Sequence, residues 1–278
     1  MTGRDRALLW ALPLLLLTGC TQSPEPSTSG GTQAISSPQG SYTPAEPLAY
    51  QFPTDLAGDF NVVWSAQPGI DLDTRPGEVV RATAEAGTIM SVPGERNYPG
   101  AQAASKDAWT FPGGYTFESD PANLTEKNGT IFIHLTDLTS TATAIHAVGC
   151  KFEFGVIAEL EQPSAGGYLG GSAFAVDATR PADAVDPREN LSRNEPTGTG
   201  DRAPRFDAFA PWSVTYRTIP HDDPRLDSCL PTGTEIAKDH PAYADYPFTD
   251  DTTSVSVIKP PNRALFPVLP QSPAWPAP

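Results

Sequence analysis

Nothing in the sequence spells out a catalytic centre. It has no GxSxG elbow, SxxK pair, HExxH helix, P-loop or GxGxxG turn, which argues against the hydrolase, zincin and nucleotide-binding classes those motifs serve. The serine of Leu169-Gly170-Gly171-Ser172 reads as mid-strand rather than as a nucleophile's turn. Soft metal ligands are scarce too. Three cysteines include no CxxC, and the four histidines (His134, His146, His221, His240) stand at no tight ligand spacing, so a zinc site is not expected. No cofactor motif is present. Positive charge is short: 18 Lys and Arg face 33 Asp and Glu, a net charge of −15. Such a field repels phosphates, so nucleic acid is not an expected partner. Long apolar runs are missing as well. The one continuous stretch, Ala7 to Leu17, falls short of the roughly 18 to 20 residues a membrane span needs.

That stretch has other uses. Arg4 and Arg6 precede it and the small residues Thr18 and Gly19 follow it, the order of a secretory signal. Leu17-Thr18-Gly19-Cys20 resembles the bacterial lipobox, which implies diacylglycerol on the Cys20 sulfur, acyl chains of the palmitate class, and cleavage before Cys20. Two or more chains, each buried methylene contributing about 0.8 kcal/mol, anchor a protein where one does not. Residues 1–19 are then a lipoprotein signal peptide, and the protein sits at the cell membrane on its extracytoplasmic face. The mature chain keeps 16 basic and 32 acidic residues, since Arg4, Asp5 and Arg6 leave with the signal. With Cys20 carrying lipid, Cys150 and Cys229 remain, and an oxidising compartment allows them to pair; two buried free thiols are the alternative.

Residues 20–47 are Ser, Thr, Pro, Gly and Gln with almost no large apolar side chains, the composition of a disordered tether. Residues 48–258 suit a single globular domain, with an irregular insertion at 179–211. Residues 259–278 are a Pro-rich tail in which Phe266, Leu269 and Trp275 could dock, although the proline spacing predicts an extended, poorly paired segment.

In the body, Asp73 or Thr74 caps a predicted helix with Pro76 in its first turn. Val79, Ala82, Ala86 and Ile89 form its core face, with Glu78, Arg81 and Glu85 turned away. The period then becomes two. Ile131, Ile133 and Leu135 alternate with Phe132, His134 and Thr136. Phe152, Phe154, Val156, Ala158 and Leu160 oppose Lys151, Glu153 and Glu159. Two more strands are expected in 168–178 and 212–219, and an edge strand in 252–259. A helix followed by half-polar strands predicts α+β, an antiparallel sheet packed on a helix. The order is similar to NTF2-like or cystatin-like cones, which implies that the Phe152, Phe154, Val156 face points at the helix; a β-sandwich with one helix is the alternative.

Three clusters invite a site. His221-Asp222-Asp223 with Asp227 is acidic, but Pro224 and Arg225 interrupt it and EF-hand spacing is absent, so it reads as a solvated turn. Glu153 and Glu159 could act as acid and base, although a solvent-facing strand accounts for both. Trp109, Phe111, Tyr115 and Phe117 flank Pro112-Gly113-Gly114 as a short aromatic hairpin, either core or a stacking surface. Tyr98-Pro99-Gly100 after the helix, together with the lipobox, resembles actinobacterial cell-envelope lipoproteins of the mycobacterial or rhodococcal type, a group that brings no assigned activity. Tyr98, Trp109 and Tyr115 are the expected ligand contacts at the open end of the cone. The expected function is a non-catalytic binding or accessory module for an envelope protein or a small apolar or glycan ligand. The alternative is an enzyme acting on cell-wall or lipid substrates.

Overall fold

A threonine starts the principal helix. Thr74 Oγ1 accepts from the Gly77 amide at 3.2 Å and the Thr74 carbonyl accepts from Glu78 N at 2.8 Å, so the residue acts as N-cap with Pro76 in the first turn. The computed structural model describes residues 50–90, 98–99, 126–159, 163–188, 201–219, 223–248 and 261–275, all within one compact unit. The signal, the tether, the aromatic hairpin with Trp109 and Tyr115, His221, Asp222 and the expected strand at 252–259 lie outside them.

The described chain runs α1 (Thr54–Ala57), β1 (Phe60–Ala66), α2 (Arg75–Met90), β2 (Lys127–Ser140), β3 (Ala144–Phe152), β4 (Val156–Ala158), β5 (Ser164–Ala165), β6 (Ser172–Thr179), β7 (Ser213–Thr218) and α3 (Cys229–Lys238). The fold is α+β, as expected, with seven strands in one sheet among the described residues. Pairing is antiparallel along β2–β3–β6–β7 and β2–β4–β5. β1 is the exception: it runs parallel to β2, Phe60 opposite Gly129 through Ala66 opposite Leu135, with α2 in the crossover. No strand at 60–66 was expected from the sequence. Thr136 is the extra residue of a bulge against β3 and ties itself to Val148 O at 3.0 Å.

Both faces of this single sheet are buried, so it is not half of a sandwich. Phe60, Val62, Trp64, Ile131, Ile133, Leu135, Ile145, Phe174 and Val176 lie under α2. Phe132, Cys150, Phe152, Phe154 and Ala175 face α3 and the segment after it. The alternation in β2 therefore holds, with both sets of side chains in a core. The expectation that Phe152, Phe154 and Val156 share the α2 face is corrected. β3 ends at Phe152, the chain turns through Glu153 and Phe154, and β4 restarts at Val156, which resets the parity. Phe152 and Phe154 belong to the α3 side and Val156 to the α2 side. α3 rides close to the sheet layer at Gly233, where a Cβ would meet the Leu169 carbonyl oxygen at 1.9 Å.

The tail also departs from expectation. Residues 261–275 begin on the α3 side, with Phe266 buried among its aromatics, and end on the α2 side with Trp275 at 1% exposure. Between these ends they cover the outer edge of β1. Asn61 Nδ2 donates to Leu269 O at 2.7 Å, Trp64 N to Ser272 O at 2.7 Å, and Ser272 N to Val62 O at 3.2 Å. A proline-dense segment can do this because side chains supply the partners its missing amides cannot: Thr130 Oγ1 donates to Pro267 O and accepts from Leu269 N. The insertion is likewise packed where it is described. Asp186 accepts from Arg75 Nε and Trp212 Nε1, each at 2.9 Å, and Arg188 grips Glu78 with two donors.

Candidate functional site

α2 carries the densest buried polar cluster, on the face the helical pattern assigns to solvent. Glu85 is 1% exposed. Its Oε1 accepts from Trp64 Nε1 of β1 at 2.8 Å and from Gln271 Nε2 at 3.1 Å, and its Oε2 accepts from Trp275 Nε1 at 2.7 Å. Burial pushes the carboxyl up from the ordinary 4.5 to about 6, against the pull of Arg81 and of these three donors. Arg81, one turn back, donates to Pro273 O at 2.5 Å and holds its guanidinium 4.3 Å over the Trp275 ring. Arg81 also lies 3.5 Å from the exposed carboxylate of Asp73.

Tyr98 lies in the same core, near enough for the Glu85 and Arg81 charges to act on it. Its ring is 2% exposed and meets Tyr50 edge-on at 5.8 Å. Burial and the Glu85 charge push its hydroxyl well above its ordinary value. Among the described residues neither Tyr98 Oη nor Arg81 Nε has a hydrogen-bond partner. Of the three expected ligand contacts, then, Tyr98 is a core residue beside a buried charge pair, while Trp109 and Tyr115 lie outside the described residues, as does Cys20. Sequence reasoning missed Glu85, Trp64, Gln271 and Arg81 as a group.

On the other face Cys150 and Cys229 are joined by a disulfide with Cα atoms 5.6 Å apart. It ties β3 to the first turn of α3. His134, directly across from Cys150 on β2, presents Nδ1 to Ser65 Oγ at 2.8 Å, and burial lowers its pKa. Its Nε2 has no partner among the described residues. His240 stands in a ring of Phe132, Phe154, Phe248 and Phe266, with centroids 5.5 to 6.3 Å away. Its Nδ1 accepts from Ala242 N at 3.2 Å, and burial lowers its pKa to about 4.

The remaining candidates are ion pairs. Lys127 and Lys151 hold Glu153 far below the usual carboxylate range. Glu159 is held low by Arg263 and Asn128 and anchors the start of the tail, so the two glutamates serve separate contacts. Asp223 is bound by Arg225, which lowers it to about 2. His146 pairs with Asp177 at 2.7 Å on the surface. Among the described residues no three His, Cys, Asp or Glu side chains gather as a metal site, and no helix is long and apolar enough to cross a membrane. Comparison with family models, curated proteins and solved structures gives no match.

Proposed function

We propose that the protein is a lipid-anchored, extracytoplasmic module of a bacterial envelope that binds a partner or ligand rather than transforming it. The observation that carries this reading is the Cys150–Cys229 disulfide, which uses two of the chain's three cysteines and leaves Cys20, at the end of the lipobox-like segment, as the third. A disulfide supports an oxidising compartment, and the leading segment supplies the route to it. Acyl chains on Cys20 would then be the membrane contact. The aromatic residues Trp109 and Tyr115 remain the proposed contacts for an envelope protein or a small apolar or glycan ligand. Tyr98 would support them from the core.

The test is expression in a bacterium with radiolabelled palmitate, followed by fractionation. The wild type should carry label and sediment with membranes. Cys20→Ala should lose the label and either leave the membranes or persist as an uncut precursor; labelled, membrane-bound Cys20→Ala would refute the anchor.

A second reading, an enzyme acting on cell-wall or lipid substrates, draws on the exposed Ser65 bonded to His134. The pair uses Nδ1, and no carboxylate orients Nε2 among the described residues, which makes a cross-strand polar contact the simpler account. Labelling of Ser65 by a fluorophosphonate, abolished in His134→Ala, would favour the enzyme.

A further inference from the structure

We propose that the 271–275 end of the C-terminal segment is a strap that opens from β1 and α2 as a unit, and that ionisation of Glu85 sets how readily it opens. Two of the three donors to Glu85, Gln271 and Trp275, lie on this strap, and the third, Trp64, lies on the strand it covers. The strap is also held by Arg81 through Pro273 O and the Trp275 ring, by Val62 N through Gln271 Oε1 at 2.9 Å, and by Asp201 O through Trp275 N at 3.1 Å. The Gln271 and Trp275 side-chain bonds meet at one buried carboxylate, and all of these contacts are separate from the disulfide, which sits on the opposite face. Local opening with few covalent ties is how a sub-global unit behaves.

Opening removes two donors from Glu85 and admits water. Closed, the carboxyl is held up at about 6; open, in water beside Arg81, it returns toward 4.5. The closed strap therefore binds the proton more tightly. Closure is fully favoured below 4.5 and weakens as pH rises through 6, by up to about 30-fold in the opening equilibrium. The groups facing the site are few. Arg81 with Asp73, and Tyr98 with Tyr50, adjoin it; Asp201 is paired with Arg205. At the far end of the segment, Glu159 is held below the usual carboxylate range by its bond from Arg263. His240, packed on Phe266 on the opposite face, adds its own pH dependence to the stability of the whole fold, in the opposite sense. The decisive quantity is thus the difference between wild type and Glu85→Gln.

Hydrogen exchange of the full chain, corrected for intrinsic rates, reads it between about pH 5 and pH 7.5. Protection of the Trp64, Ser272 and Trp275 amides should fall by about 8-fold in the wild type and stay flat in Glu85→Gln, with the β2–β3 ladder unchanged in both. An equal pH slope in the variant, or strap amides that exchange only with the whole ladder, overturns the proposal. Should Glu85→Gln fail to fold, carbon-13 NMR of the wild type decides. A Glu85 carboxyl midpoint near 6, matched by the Trp275 indole resonance, supports the strap; an ordinary midpoint, or an indole signal that ignores it, overturns it.

Discussion

The indole N–H of Trp275 donates to Glu85 at 2.7 Å across 190 residues of sequence. The contact joins the last described residue of the chain to the middle of its principal helix, so losing the indole should damage more than a tail. Trp275→Ala removes a fully buried side chain and leaves Glu85 Oε2 without a donor, a loss of roughly 3 to 5 kcal/mol. Trp275→Phe keeps most of the apolar contact and should cost less. Urea titrations of the two variants check the order; equal midpoints for Trp275→Ala and wild type would show that the segment is not part of the folded body.

Tyr98→Phe should leave stability unchanged or raise it by about 1 kcal/mol, because the hydroxyl is buried without a partner among the described residues. Thermal melts measure this. A drop of several degrees would mean the hydroxyl has a bound partner in solution, such as an ordered water.

The disulfide closes a loop of 79 residues, worth roughly 4 kcal/mol in the chain-entropy model. Cys150→Ser with Cys229→Ser should lower the unfolding free energy by about 2 to 4 kcal/mol without changing the secondary structure. In the wild type neither cysteine should react with a maleimide until a reductant is added. Labelling of native protein at Cys229 would contradict the pairing.

His240 gives the α3 side its own pH response. Its folded pKa of about 4 lies below the ordinary 6.5, so the neutral form is the one the fold favours. The contribution is present above 6.5 and is lost as pH falls toward 4, by up to roughly 3 kcal/mol. His240→Phe loses the bond from Ala242 N, a constant offset, and should flatten the slope of stability against pH over that range. An unchanged slope in the variant assigns the acid sensitivity elsewhere.

The strands were readable where burial is uniform along a strand. In β2 the isoleucines and Leu135 all face one way, and period two follows directly. The helix start was readable because Thr74 and Pro76 act locally. What stayed hidden depends on distant partners. Glu85 on a helix looks like a solvent-facing charge until Gln271 and Trp275, 186 and 190 residues away, arrive to meet it. Phe154 looked continuous with Phe152 because a turn of so few residues leaves little trace in the alternation. β1 pairs in parallel with a strand that begins 67 positions after its first residue, and no hairpin signal announces such a partner. The insertion reads as irregular, yet Asp186 is placed by Arg75 and Trp212 rather than by any local preference.

β1 also sets an order of assembly. Its inner neighbour is β2, and its outer neighbour is Ser272, 209 residues beyond Val63. A chain made from its N-terminus must hold Phe60, Val62 and Trp64 in waiting while the next 209 residues after Val63 are synthesised. Such non-local pairing slows folding and lengthens exposure of an unfinished apolar edge. A segment more than two hundred residues downstream therefore completes one of the first strands.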